Sequence, residues 1–241
     1  MTAATDFYRY AVYYAPPTGS GLAALAAAWL GYDPESGEAV APESMIAPDA
    51  LSALPESRER LVRNARVYGF HATLKAPFRL AEDIGFDVLE GAVAALAART
   101  APVTAPALAV KGDLGFVALQ PSDDAPEIDA LAAACVTDLD LMRAPLTGAE
   151  LAKRRRGGLD TQEEQHLRNW GYPYVLDRFR FHMTLSTGVS RIEARQIRAV
   201  LEPLFEPHLD SPFRIGEIAL FGDPGGGAPF RIIRRYPLTG A

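Results

Sequence analysis

The sequence predicts an α+β protein built from two duplicated β-α-β lobes, related by an approximate twofold axis and meeting at a central cleft. Three observations carry that expectation. The pattern FHATL at residues 70–74 returns in the second half as FHMTL at 181–185. Each copy sits in the same order of elements: strand, helix, motif strand, helix, strand. And 241 residues, 49% hydrophobic and 22% charged, can bury a sizeable core. The chain is expected to form one bilobal domain over 1–241, with repeats at about 7–111 and 114–236 and a helical insert at 145–177.

The elements follow in order. Residues 8–14, YRYAVYY, are aromatic-rich and end at Pro16-Pro17, a strand closed by a turn. Leu22, Leu25, Ala26, Trp29 and Leu30 recur at helical spacing, with Ser20 to cap the start and Gly31 to stop the end. Residues 32–55 mix Pro, Gly, Ser and acids without period, a long surface loop with room for one short helix, and 58–66 form a basic helix before the first motif. A helix over 86–99 buries Val88, Leu89, Val93 and Leu96; strands follow at 108–111 and 116–120, then a helix over 128–142 burying Ile128, Leu131, Cys135 and Leu139.

The insert carries two capping-box patterns, Thr147 with Glu150 and Thr161 with Glu164, which predict two ordered helices. A strand over 178–186 bears the second motif. Ser190 with Glu193 caps a helix whose inner face is Ile197, Val200, Leu201 and Leu204. Two strands, 213–221 and 230–236, join through DPGGGA.

In an extended strand alternate side chains share a face, so His71 and Thr73 point one way while Phe70, Ala72 and Leu74 pack behind. His182 and Thr184 repeat the arrangement. A twofold relation between two small sheets would set the motif strands face to face across one groove. Two imidazoles there suit acid–base catalysis, one taking a proton and the other giving one, and the two hydroxyls can donate to the non-bridging oxygens of a phosphodiester. A bell-shaped pH dependence with both limbs near neutrality is then expected. A non-catalytic module that binds a phosphorylated ligand in the same groove is the alternative.

Composition narrows the partners. A net charge of −6 argues against a surface for long nucleic acid, while a small phosphorylated metabolite or nucleotide remains suitable. No H-x-x-x-H, C-x-x-C or tight acidic cluster accompanies the histidines, and threonine is a poor metal ligand, so neither metal nor cofactor is expected. The single cysteine, Cys135, reads as a core residue. The first residues lack the charged start and apolar run of a signal peptide, and the longest apolar run, 22–30, is too short to span a bilayer; the expected compartment is the cytoplasm.

The paired HATL and HMTL resemble the H-x-[ST] signatures of the two-histidine (2H) phosphoesterase superfamily, the LigT-like fold. RYAVYYAP, WLGYD, YGFHATLKAPF, WGYPYV and FRFHMTL look like the branch described as phosphonate-metabolism proteins of unknown function, a similarity running from about residue 7 to about 236. The resemblance implies a bilobal fold with the site between lobes, His71 and His182 as the catalytic pair, and Thr73 and Thr184 as phosphate-binding hydroxyls. It also implies metal-free cleavage of a cyclic or linear phosphodiester of a nucleotide or phosphoribosyl metabolite. Which histidine is base and which acid stays open, as does the oligomeric state.

Accessory candidates surround these four. Lys75 and its counterpart Ser186 share the motif face and reach toward a phosphate, though Lys75 reads equally as a strand-end surface lysine. Arg180 and its counterpart Tyr68, two residues before each histidine, project to the same face, where an aromatic either stacks on a base or sugar or packs. Tyr172 and Tyr174 in the insert are placed to form a lid. Residues 153–156, KRRR, would make a phosphate clamp, but the helix dipole alone favours cations there, so a solvated helix end is the reading adopted. His166 and His208 read as surface residues.

Overall fold

The computed structural model describes residues 6–241. Its strands are β1 (Arg9–Tyr14), β2 (Ala72–Phe78), β3 (Val103–Ala105), β4 (Leu108–Lys111), β5 (Ala118–Pro121), β6 (Met183–Thr184), β7 (Phe213–Ile215), β8 (Glu217–Asp223) and β9 (Arg231–Pro237). Seven of them form one antiparallel sheet in the order β4-β5-β6-β2-β1-β8-β9, and β3 pairs with β7 in a small second sheet. When β1 to β4 are matched with β5 to β8, the order from β4 to β8 reads the same from either side of the β6/β2 boundary.

The fold class is the mixed α/β one the sequence predicts, with one difference in how its halves join. They do not form two separate sheets facing across a groove. The motif strands lie side by side, Ala72 opposite Met183, and β6 also pairs with β5 through Met183–Leu119 and Thr184–Ala118. A strand with two ladder pairs to β5 and a single one to β2 stitches the halves edge to edge. That leaves fewer unpaired backbone groups than two open sheet edges would.

The helices are α1 (Gly21–Leu30), α2 (Pro48–Ser52), α3 (Arg58–Tyr68), α4 (Phe86–Arg99), α5 (Pro126–Asp138), α6 (Gly148–Arg155), α7 (Thr161–Trp170) and α8 (Arg191–Phe205). Their caps follow the sequence closely. Ser20 accepts from the Ala23 amide, Gly31 adopts the left-handed conformation at φ 73°, and the Thr147–Glu150 and Ser190–Glu193 capping boxes form. The box of α7 closes one residue earlier than read, Asp160 with Glu163, because a carboxylate at 160 competes with the Thr161 hydroxyl for the same amides. The strand expected over 178–186 shortens to Met183–Thr184 behind a 3₁₀ turn at Leu176–Arg178. The one expected over 213–221 breaks at Gly216 into β7 and β8, which belong to different sheets.

Alternation along β1 shows how the sheet is covered. Tyr10, Val12 and Tyr14 enter the main core with Trp29, Leu61, Leu89, Cys135, Ile197 and Phe205 of the helices. Ala11 and Tyr13 face the other way, in a small cluster with Ala219, Phe221 and Phe230. One face thus carries the helical layer, and the other is left for the site. Trp29, fully buried, donates its indole N–H to the Leu185 carbonyl at 2.8 Å, tying α1 to the end of the second motif. Cys135 lies in the core as expected, its thiol pushed up to about 12 by burial. Among the described residues no helix is long and apolar enough to cross a membrane.

Candidate active site

The backbone holds both motif histidines in the same way. His71 Nδ1 lies 2.9 Å from the Gly69 carbonyl and His182 Nδ1 lies 2.7 Å from the Arg180 carbonyl. A carbonyl only accepts, so each Nδ1 carries the proton and each Nε2 keeps its lone pair. In His71 that lone pair accepts from the Thr73 hydroxyl at 3.2 Å. The Gly69 carbonyl is aimed by a backbone at φ 71°, and a Cβ there would meet the Pro34 ring at 2.7 Å, so glycine is required between α3 and the motif.

Strand register completes the quartet. Ala72 opposite Met183 in an antiparallel pair places His71 across from Thr184 and Thr73 across from His182, all on the face turned from the helical layer. His71, Thr73, His182 and Thr184 line one cavity of about 190 Å³. A second, of about 560 Å³, adjoins it and shares Thr73, Ala76, Tyr172 and His182.

The two rings differ in their surroundings. His71 stacks on Tyr13, centroids 3.9 Å apart at 25°, with Tyr68 and Phe221 near it at 5.9 and 6.2 Å. Burial pushes its pKa down to about 4; the Gly69 carbonyl opposes this and His182 adds to it. His182, with Phe116 tilted 5.4 Å away, is also lowered by burial, against the pull of the Arg180 carbonyl. Both rings are therefore neutral near pH 7 in the unliganded protein.

The accessory candidates divide. Tyr68 lines the histidine cavity, 37% exposed; Arg180 and Tyr174 line the larger one, and Tyr172 lines both. Lys75 does not join them. It is 3% exposed, and its Nζ donates to the Val136 carbonyl at 3.0 Å and pairs with Asp140 at 3.6 Å. A register shift between Val12–Lys75 and Tyr13–Thr73 turns it to the helical side, so it is neither a phosphate ligand nor a surface lysine. Ser186 is buried too, donating to the Thr187 carbonyl and accepting from the Val117 amide. His166, read as a surface residue, is 4% exposed and meets Asp177 at 2.6 Å. His208 is half-buried, its ring over Gly21.

Among the lining residues that escaped the motif reading are Arg9, Tyr13, Phe116 and Arg154. Arg9 and Tyr13 share a face with Ala11 in the first strand, and that alternation is the only local signal for them. Phe116 precedes β5. Arg154 belongs to the basic run set aside as a helix end, yet its guanidinium lies 4.7 Å from the centre of the Tyr172 ring.

Residues 73–231 match the family described as "Protein of unknown function (DUF1045)". The chain is similar to a protein of Janthinobacterium sp. (strain Marseille) named ribose 1,5-bisphosphate phosphokinase PhnN, 39% identical over 236 residues, covering 96% of this chain and 51% of that protein. It is also similar to a protein of the same name from Laribacter hongkongensis (strain HLHK9), 37% identical over 227 residues, covering 94% of this chain and 51% of that protein. The chain thus spans about half the length of the curated relatives it matches. Among solved structures, E. coli LigT complexed with NADP+ aligns at 13% identity and TM-score 0.41, and the same protein complexed with 3′-AMP at 14% and 0.41. Each alignment covers 97% of this chain and 99% of the other.

Proposed function

The chain belongs to the DUF1045 family, and from the site its fold builds we propose that it is a metal-independent phosphodiesterase acting on a cyclic or linear phosphodiester of a nucleotide or phosphoribosyl metabolite. One observation carries this. Two histidines on adjacent strands are tethered identically through Nδ1 to the carbonyl two residues before, and line the same cavity with two threonines in cross-strand register.

The phosphoryl group sits between the two Nε2 atoms. As the water oxygen bonds to phosphorus, His71 Nε2 takes the water's proton, and His182, protonated at Nε2 once the anion is bound, gives that proton to the oxygen that leaves as its bond to phosphorus breaks. The Thr73 hydroxyl, which donates to His71 in the free protein, turns to a non-bridging oxygen and frees Nε2; Thr184 donates to the other. The anion raises both rings from their depressed values, so that one can be protonated while the other is not.

The kinase name of the curated relatives describes proteins about twice as long. This chain contains no G-x-x-x-x-G-K-[ST] phosphate loop, and its two-histidine site supports hydrolysis rather than transfer from a nucleotide. The test is turnover of 2′,3′-cyclic nucleotides and 1,2-cyclic ribosyl phosphates in the presence of chelator. His71→Ala and His182→Ala should each cost about 10²–10⁴ in kcat with a smaller change in ligand affinity. No turnover of any of these substrates by the unaltered protein, with binding retained, would leave a ligand-binding module instead.

A further inference from the structure

The paired histidines and threonines suffice for one phosphate, yet the cavity they line also holds two guanidinium groups from distant elements. Arg9 opens β1 and is fixed from behind: Nε and a terminal nitrogen meet Asp223 at 2.8 and 2.7 Å, and that carboxylate is 4% exposed. The pairing leaves its outer donors turned from the acid. Arg154 stands apart from its basic neighbours on α6. Lys153, Arg155 and Arg156 are exposed and Arg155 pairs with Glu164, whereas Arg154 is half-buried over the Tyr172 ring. Among the described residues no carboxylate pairs with it. An arginine with only a helix end to serve would extend into water; this one is held on an aromatic shelf at the cavity wall. The adjoining larger cavity carries both signs, Asp160 and Glu163 with Arg178 and Arg180, and Arg178 pairs with Asp160 there at 2.8 Å. In the histidine cavity the two lining cations meet no lining carboxylate: Arg9 is held by Asp223 from behind, and Arg154 has no acid partner among the described residues.

Building on the phosphodiesterase reading, we propose that Arg154, with Arg9, receives a second phosphate group of the substrate, so that the preferred class is a sugar or nucleoside phosphodiester bearing an additional phosphomonoester. The seat formed by neutral imidazoles and hydroxyls takes the singly charged diester, and the guanidinium pair takes the more highly charged terminal group. Bidentate donation from arginine suits that geometry.

Calorimetry on the full chain with adenosine 3′,5′-bisphosphate and adenosine 3′-monophosphate isolates one phosphate. The bisphosphate should bind on the order of tenfold more tightly, the increment of one charge-assisted contact. Arg154→Gln should bring the ratio of the two affinities toward one, Arg154→Lys should keep part of it, and Arg156→Gln, at the C-cap of the same helix but outside the cavity, should keep all of it. Equal affinities in the unaltered protein, no binding of the bisphosphate, or a ratio untouched by Arg154→Gln would overturn the proposal. A preserved ratio without turnover of any phosphodiester would leave the second anion seat standing while the catalytic reading fell. Turnover with a ratio of one would do the reverse.

Discussion

His71 ties catalysis to stability, and the link can be measured without any substrate. Its ring titrates at about 4 when folded against an ordinary 6.5, because burial penalises the charged form more than the Gly69 carbonyl favours it. Between those values the unfolded chain binds a proton that the folded chain refuses. The contribution is therefore intact above pH 6.5, lost progressively as pH falls toward 4, and constant below. At pH 4.5 the two-state expression gives a loss of about 2.5 kcal/mol relative to pH 7.5. Urea unfolding, followed by fluorescence of Trp29 and Trp170, measures it when the unaltered protein is compared with His71→Asn. Constant effects of the substitution cancel across pH, and only the unaltered protein should carry the additional acid loss. Two stability curves that fall in parallel, within about 0.5 kcal/mol, would show a ring titrating as it does in water and would refute the burial argument.

Three other outcomes are expected. With both rings lowered by burial, the bell for kcat/KM should lie on the acid side of neutrality, its rising limb near pH 4, rather than astride neutrality as the motif alone suggests; limbs at or above 6.5 would contradict this. Thr73→Val and Thr184→Val, close in shape, should each lower kcat by about 10- to 10³-fold with little effect on Tm, measured by single-turnover kinetics and calorimetry. Lys75→Met should cost about 1–3 kcal/mol by leaving the buried Val136 carbonyl without its donor, Asp140 keeping its pair with Arg143, while kcat stays the same; a fall in kcat without a fall in stability would return Lys75 to the site.

Much of the molecule is legible locally. Helix α4 spans the expected 86–99 with Leu89, Val93 and Leu96 buried but Val88 left exposed, Ser20 and Gly31 bound α1, and the alternation in FHATL and FHMTL puts imidazole and hydroxyl on one face of each strand. These features depend on neighbours within a turn of helix or two residues of strand, which a sequence displays directly. The capping box of α7 slipped by one residue because two competent caps stand side by side at 160 and 161.

What the sequence by itself determined is the chemistry on offer: two His-x-Thr strands, an apolar face behind each, and a repeat that relates them. Only the tertiary structure decided their meeting. Pairing of Ala72 with Met183 made the motifs neighbours in one sheet, a bulge against β1 sent Lys75 to the helices, and chain returns from residue 9 and residue 154 brought two arginines to the same cavity. The reason is physical. Side-chain direction follows from local backbone geometry, whereas strand partners, bulges and convergent walls are fixed by contacts between residues far apart in the chain, for which one sequence carries no periodic signal.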